Sequence, residues 1–377
     1  MNERTKVLFF VAVDWFFCSH FMGRALAAKD AGYEVLVVTQ VVEHGDQIVH
    51  SGLRLIQLDI DRRSLNPFST LKSLSQIFRI YRRECPSLVH HIAIKPILLG
   101  TLVARLLGIR NIVNAIVGMG YLSTSDRLSV RLLRPILKVA LRAFLNPTGS
   151  RVVFENKDDL WAFVAQGQVR ASDAILIRGA GVAPSQIQPS GDTKRSPLVV
   201  LVARLLWDKG IGEYVDAARL LQQRGVKARF AIVGDIDRGN RGCINPSTIE
   251  AWRSEGVVEL WGFRTDIPQV LAEATIACLP SYREGLPKSL LEAMAAGLPC
   301  VTTDVPGCRE AVRDEDNGLL VPAKNPSALA DALERLIRNP KLAKRMGTRG
   351  RERLEMEFSE QHVNQSTLEL YREMLAK

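Results

Sequence analysis

This sequence predicts an α/β protein of two doubly wound domains, and three observations predict it. Short apolar runs alternate with helical patterns through most of the chain, as in βαβ units whose parallel sheets are covered on both faces. One polar, breaker-rich stretch, Ala183–Pro197, interrupts the alternation, which then restarts. With 377 residues, 47% apolar and 24% charged, the chain can fill two hydrophobic cores and fits no disordered or low-complexity class. The expected division is 1–185 and 186–357, with a terminal helix at about 358–377 packing back on the first domain.

The elements follow in order. Val7–Val13 reads as a buried first strand, because Asp14 stops the run after seven residues, too soon for a secretory leader. Strands are expected next at Glu34–Thr39, Leu53–Leu58, Leu88–His91, Asn111–Ile116 and Val152–Glu155. Helices fall between them at Met22–Ala31, Ser69–Glu84, Pro96–Leu107 and Leu128–Leu145. Beyond the linker, the strands are Leu198–Val202, Ala228–Val233, Val257–Trp261, Thr275–Leu279, Cys300–Thr303 and Leu319–Val321. Helices are expected near Gly212–Gln223, Pro246–Glu255, Asp266–Ala274, Pro287–Ala296, Ser327–Asn339 and from Gln361 onward. Lys95 and Arg105 interrupt the longest apolar stretch, so no membrane-spanning helix is expected.

Charge and cysteine usage narrow the function classes. The net charge is +10, and residues 1–190 carry 23 Lys/Arg against 14 Asp/Glu, whereas residues 191–377 are nearly balanced at 27 against 26. An anionic partner is therefore expected at the first half. It is not nucleic acid: helix-turn-helix and zinc spacings are missing from the sequence, and aromatics are only 6%. Six scattered cysteines without a C-x-x-C pair exclude a zinc ribbon or disulfide framework and suit a reducing compartment.

Ligands of doubly wound sheets bind outside the carboxyl ends of the strands, so with two such sheets the expected site is the cleft between them. Two segments stand at such ends. In Pro280-Ser-Tyr-Arg-Glu-Gly-Leu-Pro-Lys-Ser-Leu-Leu-Glu-Ala-Met-Ala-Ala-Gly-Leu-Pro299, Glu284 follows a strand and Pro287 suits the first helical position. Glu292 lies one and a half turns farther, roughly 8 Å along the axis. Two carboxylates beside the positive end of a helix suit a ligand with two polyhydroxylated ends and an anionic middle. In Val202-Ala-Arg-Leu-Leu-Trp-Asp-Lys-Gly210, Arg204 and Lys209 project from a strand–helix turn, a normal place for diphosphate recognition.

The run from Val199 to Leu320 resembles the retaining glycosyltransferases of family four, which have the GT-B fold. Arg204 and Lys209, then Glu284, seven residues and Glu292, match that family's signature. Val233-Gly-Asp, Trp261-Gly-Phe-Arg-Thr-Asp-Ile267 and Asp304-Val-Pro-Gly-Cys-Arg-Glu310 are similar to a bacterial branch that extends polyprenyl-diphosphate-linked glycans, including N-acetylgalactosaminyltransferases of the PglA type. In the first half, His90, Lys95–Pro96 and Gly118-Met-Gly-Tyr121 look like the acceptor-side motifs of that branch. The resemblance implies a retaining transferase that moves a hexose or N-acetylhexosamine from a UDP-sugar to a polyprenyl-diphosphate-linked glycan, with no cofactor. Arg204 and Lys209 would hold the diphosphate, and Glu284 with Gly285 and Leu286 the transferred sugar. Glu292 would hold the ribose, and Phe263 and Arg264 would flank the base. His90, Lys95, Gly118 and Tyr121 would serve the acceptor. The family's glycine-rich N-terminal loop is replaced here by Asp14-Trp-Phe-Phe-Cys-Ser-His20, and its catalytic-side His falls near Val117–Gly118, which leaves the general base unassigned. Asp235-Ile-Asp237 matches a metal-binding D-x-D, but relatives of this branch carry a similar turn without needing metal, so none is expected. A non-catalytic nucleotide-sugar-binding protein or a sugar-nucleotide epimerase shares the architecture and is the alternative.

Finally, Arg127, Arg131, Arg134, Lys138 and Arg142 recur at steps of three and four, forming one basic stripe on an otherwise apolar helix that contains Pro135. Such a helix suits an anionic membrane surface, where a polyprenyl acceptor is anchored. The expected location is therefore cytoplasmic, peripheral on the inner face of the cell membrane.

Overall fold

The computed structural model describes residues 5–60, 66–118, 128–188, 196–237, 239–240 and 242–376, with the backbone alone at 128–134. The chain forms two compact units, one made of residues up to Gly118, from 128 to Ala180 and from Glu360 onward, the other of Gly181–Ser359.

The first unit is built on a parallel sheet of seven strands: β1 (Lys6–Phe10), β2 (Glu34–Thr39), β3 (Arg54–Gln57), β4 (Leu88–Ile92), β5 (Ile112–Ile116), β6 (Arg151–Phe154) and β7 (Ala174–Leu176). Their order across the sheet is β3-β2-β1-β4-β5-β6-β7, so the winding reverses between β1 and β4. Successive side chains of β1 alternate between two cores, Val7 and Phe9 on one face, Leu8 and Phe10 on the other. That alternation is why the strand reads as an unbroken apolar run. The helix Glu360–Leu375 belongs to this unit, where Val363, Leu370, Tyr371 and Met374 complete the core around Phe9, Phe17 and Phe21.

The second unit repeats the plan with β8 (Leu198–Val202), β9 (Arg229–Val233), β10 (Glu259–Gly262), β11 (Ile276–Leu279), β12 (Cys300–Thr303) and β13 (Gly318–Val321). The order is β10-β9-β8-β11-β12-β13, all parallel, and the winding reverses between β8 and β11. Val199 and Leu201 face one core, Leu198 and Val200 the other.

Three departures from the sequence reading have local causes. The first strand ends at Phe10 because the chain turns into the helix Asp14–His20, whose first residue is buried and anchors the loop after β2. The Asp14 carboxylate accepts backbone N–H groups of Val42, Glu43 and His44 at 2.8, 3.0 and 2.7 Å. Burial pushes that carboxyl up, yet these donors and Trp15 N–H hold it below its ordinary range. β7 has only three half-buried residues, too few to show a period. The helix Pro340–Glu357 was not expected, since charged residues crowd its sequence; Asn339 caps it by accepting from Leu342 N–H.

Candidate active site

The second unit gathers the expected donor residues at the carboxyl ends of its strands, around the point where the winding reverses. After β8 comes a loop with a single 3-10 turn, Trp207–Lys209, closed by Gly210 at φ +71°. A side chain at Gly210 would collide with the carbonyl of Pro280, so glycine lets the β8 and β11 loops lie in contact. Two bonds fasten them: Tyr282 N–H donates to the Asp208 carbonyl at 2.8 Å, and Ser281 Oγ lies 3.0 Å from the same oxygen.

Across this seam Lys209 Nζ donates to Glu284 Oε1 at 2.5 Å, and Ser281 Oγ stands 2.7 Å from that same oxygen. Both partners of the ion pair are mostly buried, with side-chain exposures of 18% and 12%. Glu284 is supported from behind by Gly307, at φ +81°, where a Cβ would lie 2.5 Å from the carbonyl oxygens of Glu284 and Gly285. Leu286 is buried in the core beneath. Pro287 caps the helix Lys288–Ala295 instead of starting it, because its extended ψ of 111° already aims its carbonyl at Leu290 and Leu291 N–H. Within the helix, Glu292 faces Lys288 at 3.5 Å, and burial pushes its carboxyl above the ordinary range against the pull of that lysine.

Arg204 donates to Asp237 Oδ2 at 2.6 Å and is 41% exposed, so the second D-x-D carboxylate serves a guanidinium. Among the described residues no three His, Cys, Asp or Glu side chains converge as metal ligands. Phe263 projects at 71% exposure from the end of β10, and Arg264 beside it pairs with Asp266 at 2.7 Å. Two site features went unread in the sequence. Ser281 lay inside the quoted run but carries no charge to mark it. Asp208 stood in the quoted run without being singled out, yet its Oδ1 is buried without a hydrogen-bond partner among the described residues, and burial pushes its carboxyl up, opposed by Lys209 and reinforced by Glu284.

In the first unit the acceptor-side candidates separate. Lys95 opens the helix Ile94–Leu106 after β4, and Gly118, at φ +111°, follows β5; both stand at carboxyl ends of strands. His90 does not reach the surface: it is 2% exposed within β4, with Nδ1 2.6 Å from the Tyr371 hydroxyl. His91 is a core histidine too, with Nε2 2.9 Å from Tyr81 Oη and Nδ1 2.9 Å from Asn114 Oδ1. Tyr121 and Arg127 lie outside the described residues, and the side chains of Arg131 and Arg134 likewise. Lys138 and Arg142 are exposed on the helix Leu128–Phe144, beside Ile136 and Val139 at 65% and 70% exposure.

Comparison with known proteins fits this geometry. Residues 6–146 match the family described as glycosyl transferase 4-like, and residues 183–353 match glycosyl transferases group 1. The chain belongs to the family-four glycosyltransferases. It is 26% identical, over 92% of both chains, to the N,N'-diacetylbacillosaminyl-diphospho-undecaprenol alpha-1,3-N-acetylgalactosaminyltransferase of Campylobacter jejuni. It is 27% identical to the UDP-Gal:alpha-D-GlcNAc-diphosphoundecaprenol alpha-1,3-galactosyltransferase of Escherichia coli, over 73% of this chain and 72% of that one. Anabaena Alr3699/HepE, solved in complex with UDP-glucose, shares the fold with a TM-score of 0.79 at 18% identity, over 98% of this chain and 100% of that one. This family-four glycosyltransferase has the GT-B architecture of two Rossmann-like domains expected from its sequence.

Proposed function

We propose that this glycosyltransferase moves a hexose or N-acetylhexosamine from a UDP-sugar to a polyprenyl-diphosphate-linked glycan, with retention and without a metal, at the inner face of a bacterial membrane. The observation that carries the reading is the seam at the β8/β11 reversal, where Lys209 and Glu284 meet, with Arg204 on the same β8 loop and Glu292 on the helix that follows the β11 loop. Arg204 and Lys209 neutralise the charge that develops on the departing diphosphate, the task a divalent ion performs elsewhere. Glu284 binds the transferred sugar, assisted by backbone at Gly285 and Leu286. Glu292 takes the ribose, and Phe263 with Arg264 flanks the uracil. Lys95, Gly118 and Tyr121 serve the acceptor.

The acceptor hydroxyl attacks the anomeric carbon on the face from which UDP departs. The new C–O bond forms as the bond to the β-phosphate oxygen breaks, its electron pair leaves with the diphosphate, and the hydroxyl proton passes to that diphosphate. Retention is supported by chemistry in the relatives' names: a UDP-hexose carries its phosphate in the α configuration, and both named transfers yield α linkages. A basic helix with exposed apolar residues supports the membrane location. The test incubates the protein with UDP-galactose, UDP-glucose and their N-acetylamino counterparts, plus N-acetylglucosaminyl-diphosphoundecaprenol and its diacetylbacillosaminyl counterpart. A lipid product heavier by one sugar, formed in the presence of chelator and α-linked by NMR coupling, is expected. No mass gain with any pairing would overturn the substrate assignment, and a β linkage would overturn retention.

A further inference from the structure

We propose that Ser281 is a positioning residue, which divides the two oxygens of Glu284 between protein and substrate; this rests on the reading of Glu284 as the sugar-binding carboxylate. Ser281 is fully buried, and its hydroxyl has one proton and two acceptors in reach, Glu284 Oε1 at 2.7 Å and the Asp208 carbonyl at 3.0 Å. The nearer acceptor is also the charged one, so the proton goes to the carboxylate. Lys209 donates to that same Oε1. One oxygen therefore holds two protein donors, while Oε2 meets none among the described residues and is the atom available to a sugar hydroxyl.

Lys209 alone cannot hold this arrangement through a catalytic cycle. Its ammonium is also assigned to the diphosphate, and every donor that draws Lys209 away removes one of the two contacts on Oε1. Ser281 has no such second duty. Its own carbonyl accepts from Thr303 Oγ1, and its neighbour Tyr282 is tied through N–H to the Asp208 carbonyl, so the backbone that carries the hydroxyl is held from both the β8 loop and the end of β12. It keeps the Glu284 rotamer when the lysine turns to the phosphates. A flexible carboxylate would still bind, but in several orientations, and only one serves the transition state.

The experiment compares Ser281→Ala, Ser281→Thr and Glu284→Gln, singly and with Ser281→Ala combined with Glu284→Gln. The donors are UDP-galactose and UDP-N-acetylgalactosamine, the acceptor N-acetylglucosaminyl-diphosphoundecaprenol, and UDP affinity is read separately by calorimetry. Ser281→Ala is expected to lower kcat about tenfold to a hundredfold, the range for losing a hydrogen bond to a charged group, with donor KM and UDP affinity within about twofold. Ser281→Thr keeps the hydroxyl and restores most of the rate. In the Glu284→Gln background the alanine substitution has little further effect, because there is no longer a carboxylate to orient. Full turnover in Ser281→Ala beside an impaired Glu284→Gln overturns the proposal and leaves the Glu284 reading standing. So does an alanine effect undiminished in the double variant. Full turnover in Glu284→Gln overturns the Glu284 reading itself, and the proposal with it.

Discussion

Glu284 and Glu292 are eight residues apart in sequence, yet their surroundings differ. Glu284 is ion-paired at the seam, and Glu284→Gln keeps its shape while removing its charge. Turnover should fall roughly 100- to 1000-fold, the usual effect of losing one preorganised electrostatic contact, with UDP binding by calorimetry nearly intact. Arg204→Ala and Lys209→Ala should each weaken UDP more than uridine, because only UDP carries the diphosphate; equal losses would place these cations elsewhere. Glu292 is a mostly buried acid whose carboxyl is pushed up by desolvation, so the folded state binds its proton more tightly than the unfolded chain does. Stability from this group is therefore present at low pH and lost as pH rises from the ordinary carboxylate value through the raised one. Glu292→Gln should melt at or above the wild-type temperature at pH 7 to 8 while binding UDP less tightly; a lower midpoint there would refute the sign. Charged residues of this kind were legible in the sequence because spacing and charge mark them. Ser281 was not, since what singles it out is the carbonyl, hydroxyl and carboxylate that the fold brings around it.

The helix Leu128–Phe144 shows how an element carries more information than its pattern. Its periodicity predicted the span almost to the residue, and also a basic stripe, but not which apolar positions would find a core. Leu141 and Leu145 are buried, whereas Ile136, Val139 and Ala143, spaced three and four apart, are exposed, with Lys138 and Arg142 exposed beside them. An exposed arc that is half cationic and half apolar suits anionic lipid better than water alone. The protein is expected to cosediment with phosphatidylglycerol vesicles but not with phosphatidylcholine ones, and to be released by high salt. Replacing Arg131, Arg134 and Lys138 with Gln removes charges worth about 1 kcal/mol each near such a surface and should abolish binding. Donor affinity should change less. Neutral vesicles that bind equally well would sink this role. Strand boundaries, by contrast, were mostly read to within a residue or two, the exception being β1, which ends three residues before its apolar run does. β8 and β12 match residue for residue, while β7 is an edge strand of three half-buried residues, too short for its apolar run to mark it as a strand.

On the scale of the molecule, two parallel sheets were legible because strands buried on both faces leave continuous apolar runs, and their long-range partners were not. His90 and His91 illustrate the gap: a pair of histidines in a strand invites a functional reading, yet both are core residues of the first unit. Burial holds His91 down to about 4, against the mild support of Asn114, and holds His90 well below its ordinary value. A histidine kept neutral in the fold but protonated in the unfolded chain stabilises above about pH 6.5, and that stability is lost as pH falls toward 4. At pH 5 the loss from His91 alone is on the order of 2 kcal/mol, so the first unit should unfold on acidification before the second does. Hydrogen exchange at pH 5 and pH 7.5 checks this, and equal protection of β4 at both values would refute it. His90 bonds a tyrosine 281 residues away in sequence, on the helix Glu360–Leu375. That one contact has a consequence for how the chain is made. Among the described residues the second unit is one run, Gly181–Ser359, and it can close its core as soon as those residues emerge from the ribosome. The first unit, though synthesised earlier, waits for Tyr371 and its neighbours. The half of the protein that is translated first is the half that finishes folding last.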